Sequence, residues 1–132
     1  MKRLISPKTL KRRTWEALSA YIRVRDRKCT TCPTGQAEHC GHYQRNSERN
    51  QLFGGNALWW DERNFGGQCV ACNNYRGGEQ QKFAIVLENK FGHGILQELN
   101  DLYHTPKKWT REEILKVESY YKEKLKQLNL TI

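Results

Sequence analysis

Apolar positions follow helical spacing near both ends of the 132-residue chain and break into short irregular runs in the middle. Over residues 14–27, Trp15, Leu18 and Ile22 stand at i, i+3 and i+7 with Tyr21 beside them, which predicts an amphipathic helix. The stretch 29–78 is rich in Gly, Asn and Cys, and its apolar runs, such as Ala57-Leu58-Trp59-Trp60, are brief. Loops and short strands held by something other than a large core are expected there. From Glu79 to Phe91, the positions Phe83, Ile85, Val86, Leu87 and Phe91 predict a helix stopped by Gly92, and a shorter helix over 94–103 ends before Pro106. The last helix has the clearest start: Thr110 and Glu113 form a capping box, with Trp109 and Ile114 as its hydrophobic staple. Ile114, Val117, Tyr121 and Leu125 then give an apolar stripe to residue 128. Residues 1–13, ahead of the first periodic segment, read as a flexible basic arm, and no repeat or low-complexity segment interrupts the rest.

Composition narrows the class. Hydrophobic residues at 37% and charged residues at 28% suit one small soluble domain rather than a disordered or membrane protein. No apolar run approaches the roughly 18–20 residues that span a bilayer, and the N-terminus turns basic before a signal-like stretch forms. A reducing cytoplasmic setting is the expectation, in which cysteines favour metal over disulfides. The net charge of +9 is uneven: residues 1–28 hold ten Lys and Arg against Glu16 and Asp26, whereas residues 29–100 hold six against seven acids. A basic start beside a near-neutral centre points to nucleic acid, with a merely solubilising tail as the alternative.

Cys29-Thr30-Thr31-Cys32 and Cys69-Val70-Ala71-Cys72 are two CxxC pairs, and together they predict one tetrahedral four-cysteine zinc site. Four thiolates leave no open coordination position, so the role is structural: the ion closes a segment too poor in apolar residues to hold itself. A redox reading of a single CxxC lacks a βαβ context and leaves the second pair unexplained. Cys40, the fifth cysteine, reads as a small buried residue.

Between and just beyond the two pairs lie Gly41-His42-Tyr43, then Asn64 shortly before Cys69, then Asn73 directly after Cys72. A His, a central Asn and an Asn following CxxC in this order resemble the HNH (ββα-metal) nucleases. The order Trp15…Tyr21-Ile22-Arg23…Arg25-Asp26, CxxC, Gly41-His42-Tyr43, Asn64…Gln68-Cys69…Cys72-Asn73 and Lys108-Trp109-Thr110-Arg111-Glu112 is similar to the phage NinG (Rap) recombination endonuclease family. That resemblance implies an α+β fold: a small zinc-stapled ββα core over about residues 28–92, flanked by N- and C-terminal helices, with 14–132 as a single domain. It implies metal-dependent cutting of branched DNA, such as Holliday junctions and D-loops, by a phage-encoded protein acting in the host cytoplasm. A homodimer and recombination proteins are the partners such work would suit.

The resemblance also assigns roles, and elementary chemistry supports them. His42 is the general base, since an imidazole with an ordinary pKa of about 6.5 is largely neutral at neutral pH. Asn73 offers its carbonyl oxygen to a catalytic Mg²⁺ or Mn²⁺, although a helix-capping Asn would suit the same place. Asn64 braces the loop by hydrogen bonding, although a plain turn residue would also fit before Phe65-Gly66-Gly67. One departure stands out: many HNH relatives carry an acid before the His, and here Gly41 occupies that place. Either Asn73, phosphate and waters alone hold the metal, as in some HNH relatives, or another group substitutes, with Asp61, Glu38 and His39 the nearest candidates. Lys8, Lys11, Arg12, Arg13, Arg23, Arg25 and Arg27 are expected to track phosphates, and Arg76 and Lys82 to meet the phosphate or leaving group. Trp59 and Trp60 either stack at a junction or pack in the core. The rival readings are a non-enzymatic zinc module that only binds DNA, and an HNH nuclease for packaging, restriction or homing.

Overall fold

In a computed structural model, which describes residues 3–45 and 55–130, the chain opens with helix α1, Pro7–Asp26. The Ser6 hydroxyl accepts from the Thr9 backbone N–H at 3.2 Å, and Pro7 occupies the first turn, where a missing N–H costs nothing. Residues 7–13 are therefore helix rather than the flexible arm expected, and the helix starts seven residues earlier than the apolar spacing alone predicts. Leu10, Thr14, Ala17, Leu18, Tyr21 and Ile22 form its buried face. Arg27, at φ 62°, ends it and turns the chain into Cys29.

A two-stranded antiparallel ribbon follows. Strand β1, His39–His42, pairs with β2, Phe65–Gln68, in the register His39 to Gln68, Cys40 to Gly67, Gly41 to Gly66 and His42 to Phe65. A single 3-10 turn, Glu62–Asn64, leads into β2, and a wide π-type turn, Ala71–Tyr75, leaves it. Helix α2, Gln80–Phe91, ends at Gly92, whose φ of 90° suits a residue without a Cβ. Helix α3 spans Ile95–Tyr103 and α4 spans Arg111–Leu130. The capping box is present in both directions: Glu113 N–H donates to Thr110 Oγ1 at 3.2 Å, and Thr110 N–H donates to Glu113 Oε1 at 2.9 Å.

Two apolar clusters flank the ribbon. The larger joins α1 and α4 through Leu10, Leu18, Tyr21, Ile22, Ile114 and Tyr121, with Trp59, Trp60 and Phe65 filling between them. Both tryptophans are thus buried core residues, not rings presented for stacking on DNA, and the Tyr121 hydroxyl donates to the Trp60 carbonyl. The smaller cluster joins α2 and α3 through Phe83, Leu87, Ile95 and Leu99 around Leu58. Tyr43 leans on Phe83 with ring centroids 5.8 Å apart, so the residue after His42 is anchored from below. The architecture is α+β, helices around a two-stranded ribbon.

Candidate active site and metal centre

The two CxxC segments are brought together by the ribbon, with Cys29 and Cys32 after α1 and Cys69 and Cys72 after β2. All four Sγ atoms lie within 4.8 Å of one another. Cys32 Sγ is 3.7 Å from Cys69 Sγ, and Zn–S bonds of about 2.3 Å in a tetrahedron would place sulfurs about 3.8 Å apart. The cluster therefore has the donor chemistry and spacing to hold one zinc ion. Donors already surround the sulfurs: Cys72 N–H reaches Cys69 Sγ at 3.4 Å, and Arg76 Nη1 reaches Cys72 Sγ at 3.8 Å. Gly35 is required by proximity, since a Cβ there would stand 2.6 Å from Cys69 Cβ and 2.8 Å from its Sγ. Cys40 takes no part: it packs against the large core, and burial pushes its thiol up to about 12.

Beside the cluster opens a cleft of about 520 Å³, with His42 and Arg45 on one side and Asn73, Gly77, Gly78 and Gln80 on the other. His42 is half-buried at the end of β1. Burial holds its imidazole below the ordinary range, and the Arg45 charge acts in the same direction. The ring is therefore neutral and able to take a proton at neutral pH.

Asn64, expected as a brace, is fully buried and grips the backbone just past His42. Its Oδ1 accepts from Gln44 N–H at 2.8 Å, its Nδ2 donates to Gln44 O at 3.0 Å, and its own carbonyl accepts from Tyr43 N–H at 2.8 Å. Three bonds from one residue fix the chain on which His42 is mounted.

Asn73 sits in the π-type turn. Its Nδ2 donates to His39 Nδ1 at 3.1 Å, which turns Oδ1 toward Gly41; the place where a Cβ of residue 41 would stand is 3.2 Å from that oxygen. His39 thus sets the face Asn73 presents, a role visible only once the ribbon register is known. Of the acids and histidine considered as replacements at position 41, none lines the cleft. Asp61 is held by Arg63 at 3.0 and 2.7 Å, and Glu38 accepts from Val70 N–H at 3.5 Å. The residue that does face Gly41 is Gln68, which is fully buried. Its Nε2 donates to Thr31 Oγ1 and Gly78 O, while its Oε1 has no hydrogen-bond partner among the described residues. Carboxamide oxygens of this kind suit a hard divalent cation, so the residues around Asn73 fit Mg²⁺ or Mn²⁺.

The basic residues divide. Arg13 makes a bidentate pair with buried Glu118 of α4, both bonds 2.8 Å. Arg25 pairs with Asp26 at 2.8 and 2.9 Å and donates to Phe65 O. These two, expected on the phosphate-tracking surface, are instead committed inside the fold. Lys11 stands over the Trp59 ring at 4.8 Å. Lys8, Arg12, Arg23, Arg27, Arg76 and Lys82 are exposed, with Arg12 beside Glu16 and Lys82 beside Glu79. No helix of the described residues is long and apolar enough to cross a membrane.

The family described as "Bacteriophage Lambda NinG protein" matches residues 2–130. Protein ninG of Escherichia phage 933W is 33% identical over 117 residues, covering 86% of this chain and 55% of its own length. The ninG proteins of Salmonella phage P22 and Escherichia phage lambda are each 32% identical, over 86% of this chain and 54% of their own. The chain spans about half the length of these relatives. No solved structure matches it. A match running from residue 2 to residue 130 takes in every element that builds the sulfur cluster and the cleft, and the chain belongs to the bacteriophage NinG family.

Proposed function

We propose that the chain is a metal-dependent DNA endonuclease of the HNH (ββα-metal) type that hydrolyses phosphodiester bonds in branched recombination intermediates inside the infected host cell. The observation that carries this reading is the convergence of His42 and Asn73 on one cleft beside the four-sulfur cluster. His42 takes the proton of the attacking water at a ring nitrogen, which its lowered proton affinity leaves vacant at neutral pH. Asn64 holds the backbone of Tyr43 and Gln44, which steadies the strand end on which the His42 ring is mounted. Asn73 presents Oδ1 as a ligand for Mg²⁺ or Mn²⁺, with His39 fixing its orientation. When bound, the cation supplies charge neutralisation at the phosphate and at the departing oxygen. Gly77 and Gly78 leave the rim of the cleft bare of side chains, so a phosphate backbone can come close. The exposed Lys8, Arg12, Arg23, Arg27, Arg76 and Lys82 supply sequence-independent phosphate contacts. Zinc on the four cysteines is structural. The branched substrate follows from the family resemblance, and a homodimer would suit symmetric cutting of a four-way junction.

The test uses purified protein on a four-way junction, a D-loop, supercoiled plasmid and linear duplex, each with Mg²⁺, Mn²⁺ or EDTA. Cutting with metal, faster on the branched substrates and lost in His42→Ala with zinc content unchanged, is the expected result. No cutting under any divalent metal refutes the nuclease reading. Equal rates on linear and branched DNA refute the substrate reading alone.

A further inference from the structure

The cleft lacks an acid beside its base, and a buried oxygen is left over behind its wall, at Gly41. Gly41 stands where an acid next to the base would supply a cation ligand, yet nothing in its backbone asks for glycine: it is an ordinary strand residue, absent from the positive-φ positions. What forbids a side chain is occupancy. A Cβ on residue 41 would lie 1.9 Å from Gln68 Oε1 and 2.8 Å from Gln68 Cδ, so the Gln68 carboxamide fills the space that residue 41 gives up. The same point is 3.2 Å from Asn73 Oδ1, so two carboxamide oxygens come close together beside Gly41.

Gln68 is held there rigidly. It is fully buried on β2, directly ahead of Cys69, and Nε2 is used twice, at 3.0 Å to Thr31 Oγ1 and at 2.7 Å to Gly78 O. Those bonds fix which end of the amide is oxygen. Oε1 is then the buried side-chain polar atom without a partner among the described residues. A buried oxygen without a donor keeps its desolvation cost uncompensated, so an oxygen placed beside Asn73 calls for an occupant. Thr31 and Gly78 connect it to the two sides of the site: Thr31 lies between the first pair of cysteines, and Gly78 lines the cleft.

We propose that Gln68 Oε1 is a ligand of the catalytic cation, taking the place of the acid that Gly41 lacks. The inference rests on the metal-dependent reading of the cleft and adds to it the identity of the second protein ligand. A neutral carboxamide in place of a carboxylate lowers the charge of the donor set, so affinity for the free ion is weaker than in a site with an acid at that position. Mn²⁺ binding, followed by the electron paramagnetic resonance signal of the free ion, tests this in the His42→Ala background with a four-way junction present, so that no substrate is consumed. Zinc content and melting temperature are measured alongside. Gln68→Ala is expected to weaken Mn²⁺ binding about tenfold or more with zinc retained, and Gly41→Asp with Gln68→Ala to restore it, because the carboxylate then enters the vacated space. Should Gln68→Ala lose its fold, the isosteric Gln68→Glu carries the test, with tighter Mn²⁺ binding expected. Mn²⁺ affinity unchanged in folded, zinc-loaded Gln68→Ala, or no tighter in Gln68→Glu, overturns the assignment. Those outcomes are distinct from failure of the underlying reading. If the His42→Ala protein binds no Mn²⁺ on the junction, the metal site itself is refuted; if binding depends on Asn73 and not on Gln68, only the inference falls.

Discussion

Replacing Asn64 by aspartate changes one end of one side chain and little else. Shape and the Oδ1 acceptor for Gln44 N–H stay, while the donor to Gln44 O at 3.0 Å disappears. Losing that donor leaves a carbonyl unpaired, at about 1–3 kcal/mol. The added charge costs more. Residue 64 is fully buried, and the new carboxylate would face a carbonyl oxygen at hydrogen-bond distance. Protonation repairs both faults, since the acid O–H donates where the amide did, so the folded-state pKa of the new residue rises above the unfolded value of about 3.9. As pH rises through that window the unfolded chain gives up its proton first, and stability falls by about 1.4 kcal/mol per unit until the folded pKa is passed. An elevation of about two units, which already contains the lost hydrogen bond, gives about 2.7 kcal/mol at pH 7.5, or a Tm lower by about 8–14 °C for a domain of this size. The assay is thermal unfolding of zinc-loaded wild type and Asn64→Asp at pH 5, 6 and 7.5, read as a difference at each pH so that acid sensitivity of the cysteine cluster cancels. Asn64→Leu, which cannot ionise, is the control and should show a deficit that does not move with pH. A deficit for Asn64→Asp that is flat across this range, or below about 1 kcal/mol, would show that Asn64 does not hold the loop as described.

Three further outcomes follow from the geometry. Because burial lowers the His42 pKa, the cleavage rate should rise with pH through a midpoint below the ordinary histidine value of about 6.5 and then level off; a pH–rate profile with its midpoint above that value contradicts the neutral-base assignment. Cys72→Ser removes a fully buried sulfur from the cluster, and zinc per chain measured by mass spectrometry should fall together with the cooperative melting transition; full zinc content in the variant would place the ion elsewhere. Arg25→Ala should lower the melting temperature, since it removes the bidentate partner of half-buried Asp26 and a donor to the Phe65 carbonyl, whereas Arg23→Ala should leave melting unchanged and make the salt dependence of DNA affinity shallower; the reverse pattern refutes the division between internal and phosphate-facing arginines.

The elements most legible in the sequence are those whose signals are local. The Thr110–Glu113 box and the stop at Gly92 depend on residues within one turn of each other, and both stand where their spacing puts them. The four cysteines are legible for another reason: their chemistry admits few other uses once two CxxC pairs occur together. The first turns of α1 are obscured by their charge. Ser6 followed by Pro7 is a sound helix start, but the Lys and Arg that come next read as a tail, because Arg13 finds its counter-charge on Glu118, 105 residues away. Separation in sequence, though shorter, also hides the support of the cleft. That His39 would steady Asn73, and that Gln68 would fill the space beside Gly41, depends on a strand register that short Gly-rich segments do not announce.

The pairing of α1 with α4 bears on how the chain comes off the ribosome. The apolar face of α1 is made before the residues that cover it, since Ile114 and Tyr121 lie on α4, after the ribbon and two further helices. During elongation the sulfur cluster and the α2–α3 pair can form while Leu10, Leu18 and Ile22 still wait for that cover. Until α4 follows, the nascent chain therefore carries an uncovered greasy helix face, and folding of that layer waits on a contact between segments far apart in sequence.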